Sequence, residues 1–220
     1  MTTHVTFGAV SGEMSEPAGA GKAGGLVVIQ EWHGLNVQMK AKVDRFAQAG
    51  YLALAPDLYH GQIATSDADA SAMMGKLDWD AAVKEVGAAV AHLRAHPRCN
   101  GKVGVLGYCM GGALVFASSR FVDGVTCGVA YYGIPSVPVS ELAKIKAPIQ
   151  AHFAQKDDWA KPEKAEAIRA AIQAAGGSMD LHLYDAGHAF MRDGDPSHFD
   201  PAASATAWPR TLDFLARHLT

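Results

Sequence analysis

Cysteine is scarce in this chain, with three among 220 residues. Three thiols cannot all pair, and a disulfide framework is not how a chain of this length is stabilised. Excess charge is scarce too: 19 basic and 22 acidic residues leave a formal net charge of −3. That balance lacks the basic surplus that nucleic acid or an anionic membrane surface would require. No apolar run approaches the ~20 residues of a membrane span. The opening MTTHVTFGAVSGEMSEPAGAGKAGG has neither the charged start nor the unbroken apolar segment of a secretory signal. Neither H-E-x-x-H nor C-x-x-C occurs, so a metal site built from His33, His60, His188 and His198 has no motif behind it. Internal repeats and an obvious linker are also missing. The expectation is one domain over residues 1–220 in a reducing compartment, the cytoplasm. It would be a monomer or small homo-oligomer with no nucleic-acid, membrane or metal partner.

What is present is an apolar half, 49% of the residues, arranged in short runs. GGLVVIQEW, YLALAPDLY, GKVGVLGY, GVTCGVAYYG, APIQAHFAQ and MDLHLYDA read as six strands, rich in β-branched or aromatic residues and bounded by Gly or Pro. Between them lie amphipathic patterns. NVQMKAKVDRFAQAGY is stopped by Gly50, and WDAAVKEVGAAVAHLRAH by Pro97. GGALVFASSR, KPEKAEAIRAAIQAAGG and the closing AWPRTLDFLARHL complete the helices. Gly61 to Lys76 reads only as a long stretch of polar and small residues. Strands alternating with helices predict an α/β fold, with a mostly parallel sheet covered on both faces and right-handed crossovers.

The most informative stretch is VGVLGYCMGG, Val103 to Gly112. Gly107-Tyr108-Cys109-Met110-Gly111 fits G-x-S-x-G, the strand-to-helix turn that holds a nucleophile, with sulfur in place of oxygen. Flanking glycines remove side chains that would collide in so sharp a turn. A helix N-terminus behind the thiol favours negative charge on it and on a developing oxyanion. A small buried cysteine in a glycine-rich turn is the plainer reading of the motif alone. A nucleophile needs a base, and the base an orienting group, in the chain order nucleophile, acid, histidine. AQKDDW after the fifth strand offers Asp157 and Asp158, and DAGHAF after the sixth offers His188. All three positions follow strand ends on the side where such sheets carry ligands.

These motifs resemble the dienelactone hydrolases, within the α/β-hydrolase superfamily. The resemblance runs through QEWHG, APDLY, NGKVGVLGYCMGGAL, YYG, KDD, AGHAF and RTLDFL, nearly the whole chain. It implies a cofactor-free hydrolase cleaving a small lactone or ester, carboxymethylenebutenolidase-like. Cys109 would be the nucleophile, His188 the base and Asp157 its orienting acid. Glu31 would interact with the resting thiol and disfavour thiolate by like-charge repulsion. Main-chain N–H groups of Trp32 and Met110 would form the oxyanion hole. Arg192 matches a family arginine that grips a substrate carboxylate, and Tyr131 a pocket tyrosine. A second family arginine has no counterpart in GQIATSDADASAMMGK, where Asp67 and Ser71 stand instead. A broader carboxylesterase or thioesterase, and a non-catalytic binding or redox-sensing member, are the alternatives.

Overall fold

The computed structural model describes residues Met1–Thr220. Strands β1 (Thr3–Phe7), β2 (Val10–Ser15), β3 (Ala23–Ile29) and β4 (Leu52–Pro56) come first, with α1 (Val37–Gln48) between the last two. Helices α2 (Asp67–Lys76) and α3 (Trp79–Ala95) precede β5 (Cys99–Tyr108), which runs into α4 (Met110–Phe121). Then follow β6 (Val125–Tyr131), α5 (Val139–Leu142), β7 (Ile149–Ala154), α6 (Pro162–Ala174), β8 (Met179–Tyr184) and α7 (Pro201–Leu219). The strands form one sheet in the order β1-β2-β4-β3-β5-β6-β7-β8. All pairs from β4 to β8 are parallel, while β1-β2 and β2-β4 are antiparallel. The expected α/β architecture is therefore present.

The sheet's core is apolar on both faces. In β5, Val103, Val105, Leu106 and Tyr108 are almost wholly shielded from solvent, as are Leu26 to Ile29 of β3. Continuous apolar runs are what a parallel strand between two helical layers requires. α4 packs along β5 and β6 and is buried from Met110 through Ser118. Because β3, β5, β6, β7 and β8 are mutually parallel, their carboxyl ends share one edge, where ligands of open α/β sheets bind.

Several elements depart from the expectation. β1 and β2 were not foreseen, because β1 is largely exposed and β2 is broken by Ser11, Gly12 and Glu13. A Cβ on Gly12 would lie 2.3 Å from the Ala55 carbonyl oxygen, so the glycine that obscures the strand also lets β2 approach β4. The stretch 61–76 contains α2, started by Ser66, whose Oγ accepts the Asp69 N–H at 3.1 Å. Ala70 is its only buried residue, so no apolar period marks it. α7 begins at Pro201, well before Ala207, with Asp200 capping the Ala203 N–H at 2.9 Å.

Candidate active site

Cys109 links β5 to α4 with φ 53° and ψ −114°. A side-chain-bearing residue avoids that region, and holding it there costs on the order of 1–3 kcal/mol. The surroundings enforce it. The Cys109 N–H donates to the Tyr131 carbonyl at 3.0 Å, and the Cys109 carbonyl accepts the Ala113 N–H at 3.0 Å. A Cβ on Gly107 would lie 2.3 Å from the Gly111 carbonyl oxygen, and one on Gly111 would lie 2.4 Å from that of Ile29. Each glycine is a backbone approach with no room for a side chain. The turn leaves the sulfur partly exposed at the start of α4.

His188 follows β8, and its Nε2 lies 3.3 Å from Cys109 Sγ. Its Nδ1 lies 2.7 Å from Asp157 Oδ2. Asp157 follows β7 and is buried; the adjacent Asp158 is exposed. The second Asp157 oxygen accepts the N–H groups of Trp159 and Ala160 at 2.8 and 2.9 Å. Burial pushes the Asp157 carboxyl up, but His188 and these N–H donors outweigh it and hold the pKa below the usual value. Burial likewise acts to lower the His188 pKa. Hydrogen bonds to Asp157 and Cys109, with their charges, overcome this and raise it to about 9.

That elevation has a stability consequence. A histidine with a raised native pKa stabilises the fold fully below its unfolded value of ~6.5. The contribution is then lost as pH climbs to about 9. The urea midpoint of the wild type should therefore fall between about pH 6.5 and 9. His188→Gln should flatten that fall; an unchanged slope would show that another group sets it.

Glu31 and Arg192 meet each other instead of the positions expected for them. Arg192 Nε donates to Glu31 Oε2 at 2.8 Å, and the Tyr132 hydroxyl donates to Glu31 Oε1 at 3.1 Å. Both charged side chains are shielded, Arg192 at 8% and Glu31 at 4% exposure. Glu31 thus makes no hydrogen bond to the thiol, and its charge is compensated by a guanidinium. Buried charges demand such pairing, which accounts for the correction. Lys42 of α1 reaches in from beneath and donates to the Met191 carbonyl at 2.7 Å, fastening the loop that carries His188 and Arg192. Arg192→Ala should lower stability by about 3–5 kcal/mol, because it leaves Glu31 buried and unpaired. Adding Glu31→Gln should recover much of the loss in chemical denaturation; no recovery would mean the pair is not the cause.

The cleft beside Cys109 has a volume of about 240 Å³, and Met110, Tyr132, Ile134, Trp159 and His188 are among its lining residues. Tyr131 is absent from it. Its hydroxyl is 2.6 Å from Thr211 Oγ1, and its ring stacks on His152 at 4.5 Å. The expected pocket tyrosine is thus a core residue, turned to the other side at the end of β6. Tyr132, at φ 37°, takes the place beside the site, with its ring 5.1 Å from that of His188. Of the two N–H groups expected to face an oxyanion, that of Met110 belongs to the first residue of α4 and has no intrahelical acceptor. The Trp32 N–H donates to no group of the chain. Gly111 brings the start of α4 against the carbonyls of Ile29 and Gln30, just before Trp32.

The dienelactone hydrolase family model matches residues 10–219. The chain belongs to the dienelactone hydrolase family. It is 34% identical over 203 residues to carboxymethylenebutenolidase 1 of Cupriavidus pinatubonensis, covering 87% of this chain and 85% of that one. It is 35% identical over 204 residues to carboxymethylenebutenolidase of Pseudomonas sp. strain P51, covering 87% and 84%. Among solved structures, a Klebsiella pneumoniae protein superposes with a TM-score of 0.89 at 22% identity, covering 99% of each chain. A dienelactone hydrolase-like promiscuous phosphotriesterase from metagenomic libraries gives 0.86 at 24%, covering 100% and 98%. At these identities the two structures speak for the fold. This dienelactone hydrolase family member is accordingly a hydrolase acting on ester or lactone bonds.

In this family member the four histidines weighed as metal ligands are dispersed. His33 pairs with Asp67, His60 with Glu85, His188 with Asp157 and His198 with Asp195. Sequence reasoning missed Tyr132, Trp159 and Ala189. Cys109, Tyr132 and Ala189 have positive φ and all lie in or next to the site. Their left-handed backbones leave no mark in composition or periodicity. No helix is long and apolar enough to cross a membrane.

Proposed function

We propose that this hydrolase opens its ester or lactone through a thiol nucleophile, Cys109, with His188 as base and Asp157 as its orienting acid. The observation that carries the reading is the unbroken chain Asp157–His188–Cys109, with links of 2.7 and 3.3 Å. The sulfur attacks the carbonyl carbon while its proton resides on His188 Nε2. The oxyanion forms against the N–H groups of Trp32 and Met110 at the mouth of α4. Collapse of the intermediate expels the alkoxide, which takes the proton from His188, and leaves a thioester on Cys109. Water, deprotonated by His188, then attacks the thioester; the C–S bond breaks, the carboxylic acid leaves, and the Cys109 sulfur takes the proton back from His188. Asp157 keeps Nδ1 protonated, so that Nε2 is the atom exchanging protons with sulfur, alkoxide and water. Arg192 is a positioning residue: it compensates Glu31 and, through it, fixes Tyr132 beside the imidazole.

The names of the relatives point to a carboxymethylenebutenolide, a small lactone bearing a carboxylate. One observation favours a broader carboxylesterase or thioesterase. Arg192 is committed to Glu31, the second arginine is missing, and the cleft is mostly apolar. A kinetic panel separates them. If kcat/KM for a carboxylate-bearing enol-lactone exceeds that for neutral p-nitrophenyl esters, the lactonase reading stands; the reverse order selects the esterase. Turnover of neither would reject both.

A further inference from the structure

The cleft beside Cys109 does not end there. It shares Trp79, Ala113 and Ser136 with a second chamber of about 480 Å³. That chamber runs along α4 past Ala117 to Phe121, with Val83 of α3 opposite and Pro135 and Val137 closing it. Asp80 and Lys84 are the charged residues of its rim. Trp79 and Phe121 are large apolar side chains left 37% and 52% exposed, and Trp159 in the adjoining cleft is 66% exposed. Exposed apolar surface gathered into a concave, polar-rimmed patch marks a place that something apolar covers.

We propose that this chamber receives the acyl chain of the substrate, so that esters of medium-length, uncharged fatty acids are preferred over acetate. The inference rests on the thiol-hydrolase reading above and specifies its substrate class. Which side of the ester enters follows from the proton path. The leaving oxygen must take its proton from His188 Nε2, on the side of the cleft lined by Trp159, Ala160 and His188. The chamber touches none of these three. It begins at Ala113, one helical turn beyond Cys109, and so takes what lies on the acyl side of the carbonyl. Ala113 to Phe121 spans about 12 Å of helix, enough for an extended chain of about eight to ten carbons with C–C bonds of ~1.5 Å.

The experiment uses the purified full chain and p-nitrophenyl acetate, butyrate, hexanoate, octanoate and dodecanoate. Wild-type kcat/KM should rise about two- to fourfold per buried methylene up to octanoate, then level. Acetate esters of progressively longer alcohols should show no such rise. Ala117→Phe, which obstructs the chamber midway along α4, should lower the octanoate-to-acetate ratio at least about tenfold, the worth of two to three methylenes. Ala117 is buried, so Phe121→Ser, at a half-exposed position, supplies an independent variant that should lower the same ratio. Acetate turnover without a rise along the acyl series would overturn the chamber alone and leave the thiol hydrolase standing. So would a ratio unchanged in both variants, including the case where Phe121→Ser instead abolishes a dimer. Inactivity toward every ester would overturn the chamber, and inactivity toward a carboxylate-bearing enol-lactone as well would overturn both readings.

Discussion

Cys109→Ala should abolish turnover, by on the order of 10⁵–10⁶-fold in kcat if the thiol belongs to a triad acting as a unit. The same change should barely touch the fold. Cys109 is partly exposed and lines the cleft, so alanine removes little packing. The strained backbone at this position is held by main-chain contacts to Tyr131 and Ala113, which the substitution keeps. Cys109→Ser should also be far slower than wild type, because a hydroxyl is a weaker nucleophile than a thiol at neutral pH. Cys99 and Cys127 should be dispensable for activity. Both are buried, and burial pushes the Cys127 pKa up to about 12, leaving it protonated and inert. Steady-state kinetics with a matched circular-dichroism spectrum checks this. Normal turnover in folded Cys109→Ala would remove the nucleophile from the account.

The second large effect belongs to Asp157. Asp157→Asn should cut kcat by about 10⁴-fold with little change in substrate binding, because the amide no longer selects the productive imidazole tautomer. Asparagine can still accept the Trp159 and Ala160 N–H groups through its carbonyl oxygen, so the loop should hold its shape. The His188 pKa should fall from about 9 once its charged partner is gone, because burial then acts unopposed by that carboxylate. Asp158→Asn, on an exposed side chain, should change kcat by less than about threefold. A larger loss in the Asp158 variant would reverse the assignment.

Much of this was legible in sequence because it is written in local chemistry. The β5–Cys109–α4 turn announces itself through Gly107 and Gly111, and the structure shows both as backbone contacts with no space for a Cβ. Asp157 and His188 are legible because each follows an apolar strand in a loop where chain order demands it. The partnership of Glu31 with Arg192 was not legible, since the two are separated by 160 intervening residues and meet only once five strands are stacked. The tyrosine choice failed for a different reason. Tyr131 and Tyr132 are adjacent, and the 37° φ of Tyr132 decides which ring reaches His188. α2 escaped notice because its helix lies on the surface with a single buried residue. The β1-β2 hairpin escaped because the glycine permitting its close approach also erases its alternation.

An acyl group carried on Cys109 can be caught directly. In the slowed Asp157→Asn variant, brief reaction with p-nitrophenyl butyrate, acid quench and intact mass measurement should show one added butyryl group. Peptide mapping should place it on Cys109, and free hydroxylamine should remove it as expected of a thioester. Continued release of p-nitrophenol with no adduct, or an adduct on Cys99, Cys127 or a serine, would rule out Cys109 as the acyl carrier.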